Sequence, residues 1–137
     1  MKFSGHVLIG ILALFLYPLI GYYSIIISIS SIAVDIDHFQ ILVKEKAFSL
    51  DKIRKLLKEG YKEYGKNPKQ AFKGEIFVLH SIEFVAILTI IAYFFYYDLF
   101  FVVLGILLHI STDVIHHLIN GFPVTRWLFF TSNFIRQ

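Results

Sequence analysis

The chain has 137 residues, of which 57% are hydrophobic and 18% aromatic, and its formal net charge is +3. The length suits one domain, and a mean hydropathy of +0.69 lies above that of ordinary soluble domains. There is no cysteine, which excludes disulfides and thiolate metal sites. Residues 7–34, 84–97 and 99–112 carry no charged side chain. Uncharged stretches of this length predict a membrane protein.

The first apolar stretch is predicted to form two helices, about residues 5–17 and 21–38. Pro18 and Gly21 interrupt it and favour a hairpin, although one kinked helix over 7–34 remains an alternative. Lys2 is the only charge before this stretch and no small-residue cleavage motif follows, so no cleavable signal peptide is expected.

A basic segment follows the first hairpin. Residues 44–75 contain ten of the thirteen Lys and Arg residues, and the positive-inside rule places this loop and both termini on the cytoplasmic side. Within the loop, 44–74, an amphipathic helix with Ser49 as its N-cap is predicted. This helix either lies on the anionic membrane surface or is a solvated loop helix.

The second half of the chain predicts another hairpin. Its helices are expected at about 75–97 and 99–119, with Asp98 in a tight turn and Gly121 and Pro123 as terminators. Residues 124–130 are expected at the membrane interface. The predicted fold is therefore all-α, a multi-pass membrane protein with four membrane-embedded helices in two hairpins and a basic cytoplasmic helix.

Histidines and carboxylates recur at helical spacing near one end of both hairpins. Asp35 and His38 are three residues apart, as are His80 and Glu83, so each pair is predicted to share a helix face. Another face carries the set His109, Asp113 and His116. Equal rise along antiparallel helices brings these faces to one depth, where His6 also lies.

Ionisable side chains inside a membrane are costly and indicate a site. Imidazole and carboxylate ligands suit zinc, and manganese or iron are possible. The predicted ligands, for one or two ions, are His6, Asp35, His38, His80, His109, Asp113 and His116. A structural network of His–Asp pairs is the alternative, and the choice between His116 and His117 stays open.

The ordered motifs "SGHVLIG", "VDIDH", "LHS" and "GILLHISTDVIHH…NGFP" span positions 5–123 and resemble one family. This is the family of prokaryotic membrane-bound metal-dependent hydrolases, some of them LexA-regulated. The resemblance implies a metal pattern similar to that of zinc-dependent phospholipase C. The motif positions that it implies are His6, Asp35, Asp37, His38, His80, His109 and Asp113. The family's Arg and Gly before the third-helix His–Ser are absent, and Lys73 is a candidate substitute for that Arg.

The sequence thus predicts a metal-dependent hydrolase of phosphate esters or phospholipid headgroups at the cytoplasmic leaflet. Asp35 and Asp37 are predicted as general base or bridging carboxylate, and Glu83 as a catalytic carboxylate or an orienting partner of His80. Membrane lipids are the expected partners, with no nucleic acid. The alternatives are a di-iron redox protein and a metal or proton transporter.

Overall fold

The computed structural model describes residues 3–56 and 77–120, and this part of the chain is all-α. The helices are α1 (Phe3–Ala13), α2 (Tyr17–Ile20), α3 (Tyr23–Ala33), α4 (Phe39–Lys44), α5 (50–56, its described part), α6 (Ile82–Phe94) and α7 (Leu99–Ile119). Two 3₁₀ segments, Leu14–Leu16 and Val34–His38, join α1 to α2 and α3 to α4. Most of the predicted basic loop, Lys73 and the predicted interfacial segment 124–130 lie outside the described residues.

The first half of the chain forms the predicted hairpin, not a single kinked helix. α1 packs against α3, and the chain reverses at Gly21, whose φ of 57° favours glycine. Pro18 lies in the first turn of α2, where the missing N–H costs no hydrogen bond. The second arm runs without a break from Tyr23 to Lys44 and is longer than the predicted 21–38.

Ser49 is the N-cap of α5, as predicted, because its hydroxyl oxygen accepts a hydrogen bond from the N–H of Lys52 at 3.4 Å. The helix continues from residue 50 to the end of the described segment at 56.

The predicted helix over 75–97 is wrong at both ends, since α6 covers only Ile82–Phe94. Ser81 has an extended backbone and its hydroxyl accepts the N–H of Phe84 at 3.2 Å, which caps the helix start. His80 therefore precedes the helix, and it does not share a helix face with Glu83. At the other end the turn over residues 95–98 leads into α7, which has the predicted bounds.

Helix α7 is central to the packing, since α1, α3 and α6 all contact it. The apolar core consists of Val34, Val85, Val103, Ile106 and Ile110. The backbones of α3 and α7 approach closely at Gly105, where an added Cβ would lie 2.5 Å from the carbonyl oxygen of Ile27. The glycine thus sets the distance between α3, which leads into the Val34–His38 segment, and α7, which carries His109 and Asp113.

Two helical stretches are long and apolar enough to cross a membrane, Tyr23–Lys44 and Leu99–Ile119. Two further apolar helices, Gly5–Ile20 and Ile82–Phe94, are shorter. Length and composition of the two long stretches suggest an association with a membrane.

Candidate metal centre

Four segments of the chain bring histidine and aspartate side chains into one buried cluster. The 3₁₀ segment Val34–His38 joins α3 to α4, and it carries Asp35, Asp37 and His38. The other contributors are His6 from α1, His80 from the turn before α6, and His109 and Asp113 from α7. The solvent-exposed fraction is 2% for His6, 3% for His80, 1% for His109 and 6% for Asp113. Such burial of ionisable groups requires compensation.

His109 lies at the middle of the cluster. Its Nε2 is 3.5 Å from Asp113 Oδ2, 3.7 Å from Asp35 Oδ1 and 3.1 Å from His80 Nε2. The contact with Asp113 follows from the i, i+4 spacing on α7, whereas Asp35 and His80 come from other segments. The His109 ring also stacks on the His6 ring, with centroids 3.9 Å apart.

The hydrogen bonds of His109 and His80 fix the orientation of the two rings. His109 Nδ1 lies 2.6 Å from the carbonyl oxygen of Ser31, which can only accept, so His109 donates from Nδ1. His80 Nδ1 lies 3.3 Å from Asp37 Oδ2 and donates to that carboxylate. The Nε2 atoms of both rings therefore point into the cluster, where they lie 3.1 Å apart.

This arrangement gathers three imidazole rings and two carboxylates around His109. Imidazole nitrogens and carboxylate oxygens at these distances are stabilised by a cation among them, either a proton on a ring nitrogen or a metal ion. Histidine ligands of metal ions commonly donate their other N–H to a carboxylate or a backbone carbonyl, which fixes ring orientation. Asp37 and the Ser31 carbonyl occupy those two positions for His80 and His109.

Two buried polar atoms of the cluster have no hydrogen-bond partner, His6 Nδ1 and Asp35 Oδ2. The other ring nitrogen of His6, Nε2, lies 3.1 Å from Asp113 Oδ1. An unsatisfied buried polar atom costs about 1–3 kcal/mol, so two in one cluster indicate a missing ligand.

The side chains that could hold an ion form three overlapping groups. In each group the ligand atoms lie within 4.8 Å of one another, and the groups are His6–Asp35–His109, Asp35–His38–His80 and His80–His109–Asp113. Nitrogen and oxygen donors of these types suit zinc, manganese or iron. The buried histidines and aspartates could therefore hold a metal ion.

The remaining predicted site residues lie elsewhere. Among the described residues, neither Glu83 nor His116 belongs to any of the three groups. The His116 ring lies near the end of α7, where its Nδ1 is 3.4 Å from the side-chain nitrogen of Asn120. His117 is the more buried of the adjacent histidines, with 9% of its surface exposed, and it too lies outside the groups.

Two contributors to the site were not apparent from the sequence, the carbonyl oxygen of Ser31 and the N–H of Leu79. The Leu79 N–H donates to Asp37 Oδ2 at 2.5 Å, beside the bond from His80. Both are backbone groups, which every residue type carries, so no side-chain pattern could reveal them.

Comparison of the chain with protein-family models, curated proteins and solved structures finds no match. The geometry of the buried His–Asp cluster is therefore the basis for assigning a function. The resemblance to membrane-bound metal-dependent hydrolases stays a prediction.

Proposed function

We propose that the protein is a membrane-embedded, zinc-dependent hydrolase of phosphate esters, including phospholipid headgroups at the cytoplasmic leaflet. One observation carries the proposal: the cluster contains two buried polar atoms without a hydrogen-bond partner, His6 Nδ1 and Asp35 Oδ2. They lie in the cluster where the Nε2 atoms of His80 and His109 are 3.1 Å apart. A structural His–Asp network would pair each buried polar atom within the protein.

A divalent cation bound here would polarise a phosphoryl oxygen and acidify a water molecule. The chain's own groups supply the rest. Asp37 and the Ser31 carbonyl hold the His80 and His109 rings in the orientation that turns Nε2 inward. Asp35 Oδ2 is buried without a hydrogen-bond partner, which leaves this carboxylate available as a metal ligand.

The proposed membrane position follows from the helix lengths. His109 lies ten residues after Leu99 in the 21-residue helix α7, which places it about 15 Å along a helix of about 31 Å. Helix α6 is only 13 residues long, and His80 lies in the turn before it. Asp113 lies about 21 Å along α7, so the cluster extends from the middle of this helix towards the end that is predicted to be cytoplasmic.

A metal or proton transporter is the second candidate, and it would need a polar pathway through the bundle. On α7 the apolar residues Val103 and Ile106 are buried between Leu99 and His109. On α3, however, buried serines continue from the opposite turn to the cluster: Ser24, Ser28 and Ser31. At the opposite end the Tyr23 hydroxyl donates to Asp98 at 3.2 Å.

The test is hydrolysis by the purified full-length protein in detergent and in phospholipid vesicles. Bis(p-nitrophenyl) phosphate and a mixed-lipid vesicle containing anionic lipid serve as substrates. We expect activity that a chelator abolishes and zinc restores, that His109→Ala loses and that His116→Ala retains. Activity that resists the chelator and survives His109→Ala would contradict the proposal, as would no hydrolysis of either substrate by the zinc-loaded protein.

A further inference from the structure

We propose that the centre binds two divalent cations of unequal accessibility, with Asp35 shared between them. The inner ion takes the buried residues His6, His109 and Asp113, and the outer ion takes His80 and His38. This inference rests on the metal centre of the proposed function and adds the ion count and the division of the ligands.

The number and placement of ligand groups exceed what one ion can use. A zinc ion takes about four ligands, whereas the three overlapping groups contain six different residues. No group contains both His6 and His38, whereas Asp35 occurs in a group with each of them. A single ion would leave one of these histidines without a function at the centre.

Asp35 is the residue common to both sides. Its Oδ1 lies 3.7 Å from His109 Nε2 and 3.6 Å from His38 Nε2, and so it is nearly equidistant from the inner and outer histidines. Its second oxygen, Oδ2, is buried without a partner. A carboxylate with one oxygen between two sets of ligands and another unused is suited to bridge two ions.

The two sides differ in exposure. The side chains of His6 and His109, and of His80 on the outer side, are almost completely buried, whereas 43% of the His38 side chain is exposed. The inner ion would thus be enclosed by protein, and the outer ion would be reached from the side of His38. An open position is what distinguishes a catalytic from a structural metal site.

Charge also favours two ions for a phosphate substrate. The cluster contains three carboxylates, Asp35, Asp37 and Asp113. When all three are ionised, one divalent cation leaves the centre negative, whereas two make it positive. A positive centre attracts an anionic phosphate group.

The inference is tested by zinc stoichiometry of the full-length protein in detergent. The protein is stripped with a chelator, titrated with Zn²⁺, desalted and analysed by mass spectrometry and calorimetry. We expect two ions per chain for the wild type and for the matched histidine control His116→Ala. We expect one ion for His38→Ala and for His38→Gln, which keeps a polar side chain if alanine perturbs folding. One ion in the wild type, or two in both His38 variants, would overturn the inference.

The shared carboxylate is tested with Mn²⁺ in place of zinc. An electron paramagnetic resonance spectrum of two exchange-coupled ions is expected, and two isolated-ion spectra would contradict the bridge by Asp35. The failures are distinguishable: one bound ion with hydrolysis intact overturns only the two-ion inference. No bound ion overturns the inference and the proposed hydrolase together.

Discussion

At the scale of single residues, the orientation of His80 and His109 depends on groups that do not belong to the candidate ligand sets. Asp37 accepts from His80 Nδ1 at 3.3 Å and from the Leu79 N–H, so its carboxylate is already engaged. The sequence grouped Asp37 with Asp35 as a base or bridge, because both belong to one D-x-D-H motif. The structure separates them, since a 3₁₀ turn directs the two carboxylates at different histidines.

We therefore expect Asp37→Ala to weaken zinc binding about 10- to 100-fold, although Asp37 belongs to none of the three candidate ligand groups. Loss of the acceptor frees the His80 ring to rotate and to change tautomer. Calorimetric titration with Zn²⁺ measures the effect, and Asp51→Ala, an exposed carboxylate on α5, is the control. Unchanged zinc affinity together with lost hydrolysis would instead make Asp37 a catalytic base.

The residue pairs that the sequence predicted correctly are those held by local geometry. His109 and Asp113 face the same side because four residues make about one helical turn. The contacts of His109 with Asp35 and of His6 with Asp113 join segments far apart in the chain. The sequence predicted that these residues lie at the same depth. It did not predict which of their atoms are in contact, because those contacts depend on how the helices pack.

At the scale of the helices, the contact between α3 and α7 holds the site together. Gly105 lies one turn before His109, and its close approach to Ile27 lets the Ser31 carbonyl reach His109 Nδ1 at 2.6 Å. The neighbouring Ser30 hydroxyl bonds to its own helix at the Ile26 carbonyl oxygen, so the contact is made without an unsatisfied hydroxyl.

Gly105→Ala is expected to lower the free energy of unfolding by about 1–3 kcal/mol, because the added methyl meets backbone at 2.5 Å and the helices must separate. The matched control is Gly10→Ala. There the nearest atoms belong to the end of the Ile32 side chain, at 2.7 Å, which can move more easily. Denaturant unfolding in detergent, followed by circular dichroism, compares the two. Equal destabilisation would contradict the role of Gly105 in spacing α3 and α7.

The start of α6 shows where hydrophobic patterning misleads. Apolar residues continue across "EIFVLHSIEFVAIL", which predicts an uninterrupted helix from residue 75. The structure instead uses Ser81 as an N-cap and places Glu83 in the first turn, a local signal that the sequence contains. The shorter helix leaves His80 in a turn, from which its ring reaches both Asp37 and His109.

At the scale of the whole molecule, composition and periodicity were sufficient to predict the all-α class, the first hairpin and α7. Long uncharged stretches have few structural solutions in a membrane, since every backbone polar group must be paired within the chain. The chain reverses at Gly21, whose positive φ favours glycine, and in the turn before Leu99. The division of the centre into a buried and an accessible side emerged only from three-dimensional packing.

The central claim is that the buried His–Asp cluster is a metal centre, and the metal content of the purified full-length protein tests it most directly. Inductively coupled plasma mass spectrometry would compare the wild type with His109→Ala, Asp113→Ala and the control His116→Ala. We predict near-stoichiometric or higher zinc in the wild type and the control, and its loss in both other variants. A wild type that binds no zinc, manganese or iron after reconstitution would contradict the account.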